Sequence, residues 1–468
     1  MNVQETVKKF LRKSSVLENM ALNVYETIPY DIRNRLLLGP AFVRWTMLLK
    51  ESENWGPGRF RDYQFAQVKN ILVHAAENIP YYRKTFSEID FHPEKIKDFD
   101  DFRKIPLLLR EEVSKSSVGM VDERLPLKAL LLKPTSGSSG IPLRIYRDRA
   151  VDAAFLAFRK NILGRAGYIP GVREVMFWPM VSSGSHLSLP YTRFGNKLIL
   201  SIRHLSPQWL SRFVKMIADF NPEHIMGFPS VLAVVSSYIK HENPAVFPKL
   251  KSVISYAENI FDWQRNLIKE VFGVRVFSMY AMTEQAVIGG ECEQTHKMHL
   301  HPLFGYAEFM GLADGYKEIV GTGFTSQCMP FIRYRTGDVV TESSDVCPGC
   351  GRCHMVVDSL QGRINDFLIG KSGEIIPRLM PWIKTFPNVR QFRFHQEEPG
   401  RAVLFISRGE GYTDRNTEEI TFWLDSMLGI MRDSISIAIE FIDQITLPES
   451  GKTRMVTQKL DVRSFLKI

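Results

Sequence analysis

From residue 59 to 86 the chain reads RFRDYQFAQVKNILVHAAENIPYYRKTF, with apolar residues at helical spacing until Pro80, which is expected to stop the helix. The first 130 residues read as mainly helical. From about 130 to 340 the texture alternates. Short apolar, β-rich runs (KALLLKP, EVMFW, KLILSI, SVISYA, VRVFSMY) are separated by amphipathic stretches such as SPQWLSRFVKMIADF and FDWQRNLIKEVF. Strands alternating with helices predict an α/β fold with a largely parallel sheet. After Asp338 a Cys-rich turn, DVCPGCGRCH, leads to strand-like VRQFRFHQ and RAVLFISR. A helix (TEEITFWLDSMLGIM), a strand (SISIAIEFID) and a polar loop (LPESGKTRM) then follow. This predicts a large domain over 1–360 and a small α+β domain over 361–468.

Composition narrows the functional classes. With 468 residues and 44% apolar content, the chain can bury a sizeable core. The net charge of +9 is spread along the sequence with no basic run, which argues against a nucleic-acid partner and suits small anionic ligands. No stretch approaches the roughly 18 apolar residues of a membrane-spanning helix. The N-terminus, MNVQETVKKFLRKSS, lacks the apolar core of a signal peptide, so a cytoplasmic protein is expected. Its basic amphipathic pattern fits a packed surface helix, with peripheral contact to an anionic membrane as the alternative. The five cysteines, Cys292, Cys328, Cys347, Cys350 and Cys353, fall within one stretch. An odd count without a secretion signal points to metal or free thiols rather than disulfides.

Several short motifs carry chemistry. A β-like run feeds Thr135, Ser136, Gly137, Ser138, Ser139 and Gly140, a loop whose N–H groups and hydroxyls can surround phosphate oxygens. It is not a Walker A loop, since no Gly-Lys-Ser/Thr follows, and alone it is only a Ser/Gly turn. In FSMYAMTEQ, Glu284 follows the apolar run VRVF, where a parallel strand would end and ligands gather. A carboxylate there can hold Mg²⁺ beside phosphates, or simply cap a helix N-terminus. Asp338 in FIRYRTGDVV can accept ribose hydroxyls, with Tyr334 packed nearby. Arg363 in GRINDF can reach a phosphate, and Lys452 in PESGKTR can meet charge developing on one.

The order TSGSSGIP, YAMTE, YRTGD, GRIND and a C-terminal Gly-Lys resembles the core motifs of the adenylate-forming enzymes, which include acyl- and aryl-CoA ligases. The chain is most similar to the branch of phenylacetate–CoA ligase and its relatives in capsular polysaccharide biosynthesis. AAENIPYYRKTF followed by KIPLLLREEV, then FNPEHIMGFPSVLAVVSSYI and the Cys/His insertion, carry that likeness. The resemblance implies that residues 135–140 form the phosphate loop and that Ala257 and Glu258 line the adenine pocket. It places Tyr280 beside the adenine, Thr283 and Glu284 at phosphate and Mg²⁺, Asp338 at the ribose and Arg363 at ribose or phosphate. Lys452 would promote adenylation. Two positions depart from the family pattern. Ala281 replaces a glycine, adding a methyl near the adenine, and Asn365, followed by Asp366, stands where the hinge aspartate is usual.

Cys347-x-x-Cys350 on a Pro/Gly turn suits two thiolates on one metal. Upstream, GGECEQTHKMHLHP offers Cys292, His296, His299 and His301, the last two sharing a face if MHLHP is a strand. By resemblance, a Cys…His pair completes a structural Cys₃His zinc site within an insertion at about 292–353. The expected ligands are Cys292, His299, Cys347 and Cys350, with His301 as substitute and Cys353 and His354 in reserve. Such a site would tie the strand before Asp338 to the strand after Glu284. Cys328 reads as a packed thiol.

The activity implied is ATP- and Mg²⁺-dependent activation of a small carboxylic acid as an acyl-adenylate, followed by transfer to coenzyme A. Two alternatives remain open. One is transfer to an amine or hydroxyl in cell-surface polysaccharide assembly, and the other is a non-catalytic nucleotide-binding protein. Phe228, Pro229, Tyr256 and Met282 are the candidate lining of an apolar acyl pocket.

Overall fold

The computed structural model describes residues 28–460, apart from 29, 135–142, 179–189, 203, 206, 242–243, 259, 261, 313–316, 341–342, 359, 362–367, 374, 377–387, 410, 429–433 and 444–455. The first described elements are helices α1 (Tyr30–Leu38), α2 (Pro40–Ser52), α3 (Pro57–Asn78), α4 (Pro80–Glu88) and α5 (Arg110–Ser116). Proline opens α2, α3 and α4, where its missing N–H is not needed and its fixed φ favours the first turn. Pro80 thus follows the end of one helix, as the sequence predicts, and starts the next.

A hairpin of β1 (Leu131–Pro134) and β2 (Arg144–Arg147) brackets 135–142 and runs into α6 (Arg149–Gly164). The alternating region follows: β3 (Glu174–Trp178), β4 (Tyr191–Phe194), β5 (Lys197–Ser201), α7 (Pro207–Phe220) and β6 (His224–Gly227). It continues with α8 (Pro229–His241), β7 (Ser252–Tyr256), α9 (Asp262–Phe272), β8 (Val276–Ala281), β9 (Ile288–Glu291) and β10 (Met298–Leu300). β11 (Gly305–Gly311), β12 (Lys317–Gly323), β13 (Tyr334–Val340), β14 (Ser343–Ser344), β15 (Val356–Val357) and β16 (Leu360–Gln361) complete the large part.

Two sheets position the site. The main one runs β14-β15-β10-β9-β8-β7-β6-β3-β5-β4. Strands β8, β7, β6, β3 and β5 are mutually parallel, and the flanking strands are antiparallel. Central β6 is buried along its whole length, as a parallel strand covered on both faces must be. Phe213, Val214 and Ile217 of α7 lie under this sheet with Val175, Ile225 and Val253. The second sheet, β11-β12-β13-β16, is antiparallel. Its residues share one core with α3, whose Val68, Leu72 and Ala75 are fully buried. This is the α/β fold that the alternation predicts.

Downstream lie β17 (Leu368–Ile369), β18 (Ile375–Ile376), β19 (Val389–Glu398), β20 (Arg401–Arg408), α10 (Asp414–Leu428), β21 (Ser436–Phe441) and β22 (Val456–Gln458). The sheet β21-β20-β19-β22 and α10 bury Phe394, Leu404, Ile406 and Ile420 in a core of their own. No helix among the described residues is long and apolar enough to cross a membrane.

The two sheets of the large part meet through glycine. Gly305 and Gly323 face each other in the β11–β12 register. A Cβ on Gly323 would sit 2.2 Å from the Gln285 carbonyl oxygen, and one on Gly305 would sit 2.4 Å from that of Ala286. Both obstacles are backbone and cannot swing aside. We expect Gly323→Ala to destabilise the protein by about 1–3 kcal/mol in urea unfolding. Gly311→Ala, where nothing lies within 4 Å of the added methyl, should stay within about 0.5 kcal/mol of the parent. Equal midpoints for the two variants would refute the close approach.

Candidate functional site

The carboxyl ends of β3, β6, β7 and β8 open on one side of the main sheet, where α/β proteins bind ligands. At the end of β7, Ala257 has φ +64°, a left-handed conformation that a residue with a Cβ seldom adopts. It costs on the order of 1–3 kcal/mol, and such strain gathers at ligand sites. Glu258 follows it, partly buried.

Tyr280 and Ala281 end β8. The Tyr280 hydroxyl donates to Asp338 Oδ2 at 2.7 Å, joining the main sheet to β13 of the second. Burial of that hydroxyl, then the Asp338 charge, push the Tyr280 phenol well above its ordinary value, so it stays a donor. Asp338 lies within β13, just after Gly337, whose φ of +72° kinks the strand. The Gly337 N–H donates to Glu318 Oε1 at 2.9 Å and that of Asp338 to Thr336 Oγ1 at 3.0 Å. The second sheet thus carries Gly337 as an irregularity within a strand.

Glu284 sits in the turn between β8 and β9, so no helix follows it and the helix-capping alternative falls. Glu284 is 9% exposed, and Tyr334 donates to its Oε1 at 3.4 Å. Arg110 Nη1 lies 3.9 Å from the same oxygen. Arg110 is held there because Leu108 bridges the strand entering β13, its N–H donating to Arg333 O and its carbonyl accepting from Arg335 N. From the hairpin, Arg147 Nη2 donates to the Thr283 carbonyl at 2.6 Å. One carboxylate facing a triphosphate is the usual protein share of a Mg²⁺ shell, and Glu284 could supply it. The functional reading of the sequence left out Arg110 and Arg147. Only the fold brings them to Thr283 and Glu284, and no local motif marks either. The loop 135–140, Arg363, Asn365, Asp366 and Lys452 lie outside the described residues, as does the N-terminal segment through Thr27.

Three rings meet at adjacent strand ends. Trp178, Phe228 and Tyr256 have centroid separations of 5.8 Å (Trp178–Tyr256), 6.4 Å (Trp178–Phe228) and 5.4 Å (Phe228–Tyr256). The Tyr256 hydroxyl donates to the Phe177 carbonyl at 3.0 Å, so the ring carbons, not the hydroxyl, remain to meet a ligand. Trp178, 46% exposed, was missing from the expected pocket lining. Of the others, Pro229 is buried at the start of α8, and Met282 packs on the core shared with the second sheet.

Cys292, His299, Cys347 and Cys350 converge, all four ligand atoms lying within 4.8 Å of one another. Cys347 Sγ is 3.7 Å from Cys292 Sγ, and Cys350 Sγ is 3.6 Å from His299 Nε2. Zinc bonds of about 2.3 Å to sulfur and about 2.0 Å to nitrogen give tetrahedral edges of roughly 3.8 and 3.5 Å, so the donor set fits that ion. The Cys347 N–H donates to Arg352 O and the Gly351 N–H to Cys347 O, closing the turn, with Gly351 at φ +71°. Burial raises the Cys292 thiol, but N–H groups of Gln294 and Thr295 aimed at its sulfur outweigh it, and the net shift is down. Burial, helped by Arg165 and Arg352, pushes His299 down to about 3, keeping the imidazole neutral as a ligand must be. Arg275 gathers the carbonyls of Cys292, Glu293 and Thr295 and shapes the upstream loop.

His301 lies just past the end of β10, edge-on to Phe158 and beside His354, outside the four-residue cluster. The cluster ties 347–350 to the β9–β10 ends. Asp338 belongs to the other sheet, so the expected tie to the strand before Asp338 is not what forms. Cys328 is a packed thiol that burial pushes up to about 11.

A phenylacetate-coenzyme A ligase of Pseudomonas putida is 24% identical over 357 residues, covering 70% of this chain and 76% of that protein. Protein CapK of Staphylococcus aureus is 21% identical over 415 residues, 85% of this chain and 89% of its own. The crystal structure of 2-hydroxyisobutyryl-CoA ligase with 2-HIB-AMP and CoA, in the thioesterification state, superposes with a TM-score of 0.59 at 18% identity. It covers 89% of this chain and 93% of that one. The chain resembles the phenylacetate–CoA ligase branch of the adenylate-forming enzymes. No protein-family model matches it. The 2-hydroxyisobutyryl-CoA ligase likeness is one of fold, a large α/β part with a smaller C-terminal one.

If the Cys/His cluster holds zinc, purified protein carries one equivalent by elemental analysis. Cys347→Ser should then lose the metal and lower the urea midpoint. Metal-free wild-type protein with an unchanged midpoint would remove the site.

Proposed function

We propose that this chain is an AMP-forming acid–thiol ligase. The observation that carries the reading is the Tyr280–Asp338 hydrogen bond, with Glu284 beside it, at the meeting of two sheets. It brings an aromatic side chain and two carboxylates together, a set that suits an adenine, a ribose and a Mg²⁺ ion. In the first step a carboxylate oxygen bonds to the ATP α-phosphorus and the bond to the β-phosphate oxygen breaks, giving acyl-adenylate and pyrophosphate. Mg²⁺ held by Glu284 would neutralise charge on the phosphates. Asp338 holds the ribose and Tyr280 lies against the adenine, with Ala257 and Glu258 at the pocket edge. Thr283, residues 135–140, Arg363 and Lys452 act on the phosphates, and fixed donors there stabilise charge that grows during attack. In the second step the thiol of coenzyme A attacks the acyl carbon, AMP leaves, and the thiol proton goes to solvent or a base.

A domain boundary at 360/361 gives the C-terminal part a hinge near 365, about which it turns between the two steps. The Trp178, Phe228 and Tyr256 rings favour an apolar acid. The zinc is structural, since four protein ligands leave no open position. With ATP and coenzyme A as substrates, the protein works in the cytoplasm.

Isotope exchange of pyrophosphate into ATP across a panel of carboxylic acids tests the first step. Lys452→Ala should reduce exchange by about 10²–10³-fold with the same acid preference. Absence of exchange with every acid would leave nucleotide binding alone. Exchange without coenzyme A-dependent release of AMP would point instead to an amine or hydroxyl acceptor.

A further inference from the structure

Arg147 is the last residue of β2, paired with Leu131 of β1, and it directly precedes the α6 N-cap. That cap is Asp148, whose side chain accepts from the Val151 N–H at 2.9 Å. Its strand is tied to the second sheet's connection as well, because the Tyr146 carbonyl accepts from the Cys328 thiol and the Tyr146 N–H points at Met329 Sδ. The Arg147 backbone is therefore fixed on several sides. Its side chain, only 11% exposed, crosses to the turn after β8. There Nη2 donates to Thr283 O at 2.6 Å, and Nη1 lies 3.7 Å from Asp152 Oδ1 on α6. Burial penalises the guanidinium charge, and the fields of Asp152 and then Glu284 only partly offset that penalty, so the net shift is down.

A buried guanidinium is an expensive way to satisfy one carbonyl. The carbonyl it holds belongs to the residue before Glu284. Fixing that peptide limits the directions in which the Glu284 side chain can leave the turn. The other end of the tie is the stem whose strands bracket 135–142.

We propose that Arg147 is a positioning residue for the activation step, setting the Thr283–Glu284 turn at a fixed place relative to the hairpin stem. The inference rests on the ligase reading above. It does not require Arg147 to touch ATP.

The test compares wild type, Arg147→Met and Arg147→Lys in pyrophosphate exchange, with MgATP and acid varied separately. Arg147→Met should lose about 10–100-fold in exchange rate and raise the KM for MgATP, while the KM for the acid stays put. Arg147→Lys keeps one donor for the Thr283 carbonyl and should recover most of the loss. Circular dichroism melting reports the folded fraction, so a fall in activity proportional to unfolding would overturn the inference. So would Arg147→Met kinetics equal to wild type, or a lysine variant no better than methionine. Wild type that exchanges while Arg147→Met matches it overturns the Arg147 role alone. Wild type that exchanges with no acid overturns the ligase reading, and this inference falls with it.

Discussion

The backbone contact of Gly305 and Gly323 with Gln285 and Ala286 is what the rest of the site stands on. Two sheets can share a ligand only if their strands come close, and side chains of ordinary size would hold them apart. Here the glycine pair lets β11 and β12 press against the chain just after Glu284. The Tyr280–Asp338 hydrogen bond and the Tyr334 hydroxyl near Glu284 both span the same seam. Interiors are close-packed, so a displacement at the glycines would pass directly into those contacts.

Charge at the seam is arranged in the same spirit. Glu284 is largely withdrawn from water, yet it faces Arg110 from one element and the field of Arg147 from another. A largely buried carboxylate held beside Arg110 keeps its place before substrate arrives. Preorganised charge of this kind needs no rearrangement when negative charge develops on a phosphate.

Much of the fold was legible because periodicity is local. The alternating run from about 130 to 340 carries its β-rich segments as continuous apolar stretches, and these became β1, β3, β5, β7 and β8, while the short β6 was not among them. The cysteine cluster was legible too, since a Cys-x-x-Cys turn states its own geometry, although the choice between His299 and His301 was not. The end of the strand decides it: His299 falls within β10 and reaches Cys350, whereas His301, two residues on, lies past the strand and packs on Phe158. Arg110, Arg147 and Trp178 had no such local signature. Each acquires meaning from a tertiary neighbour more than fifty residues away, which spacing along the chain cannot encode. Asp338 lies inside β13, because Gly337 marks a kink within a strand here, although such a glycine reads along the chain as readily as a turn between two.

The outer margin of the main sheet has a consequence for how the protein behaves among its own copies. Long exposed margins of a sheet offer unpaired N–H and carbonyl groups that recruit further strands. This sheet closes on β14, two residues long, beside an equally short β15. So brief a rim has too few free backbone groups to template another chain. The opposite margin, β4, is only four residues long, so both rims are brief beside the buried interior they border.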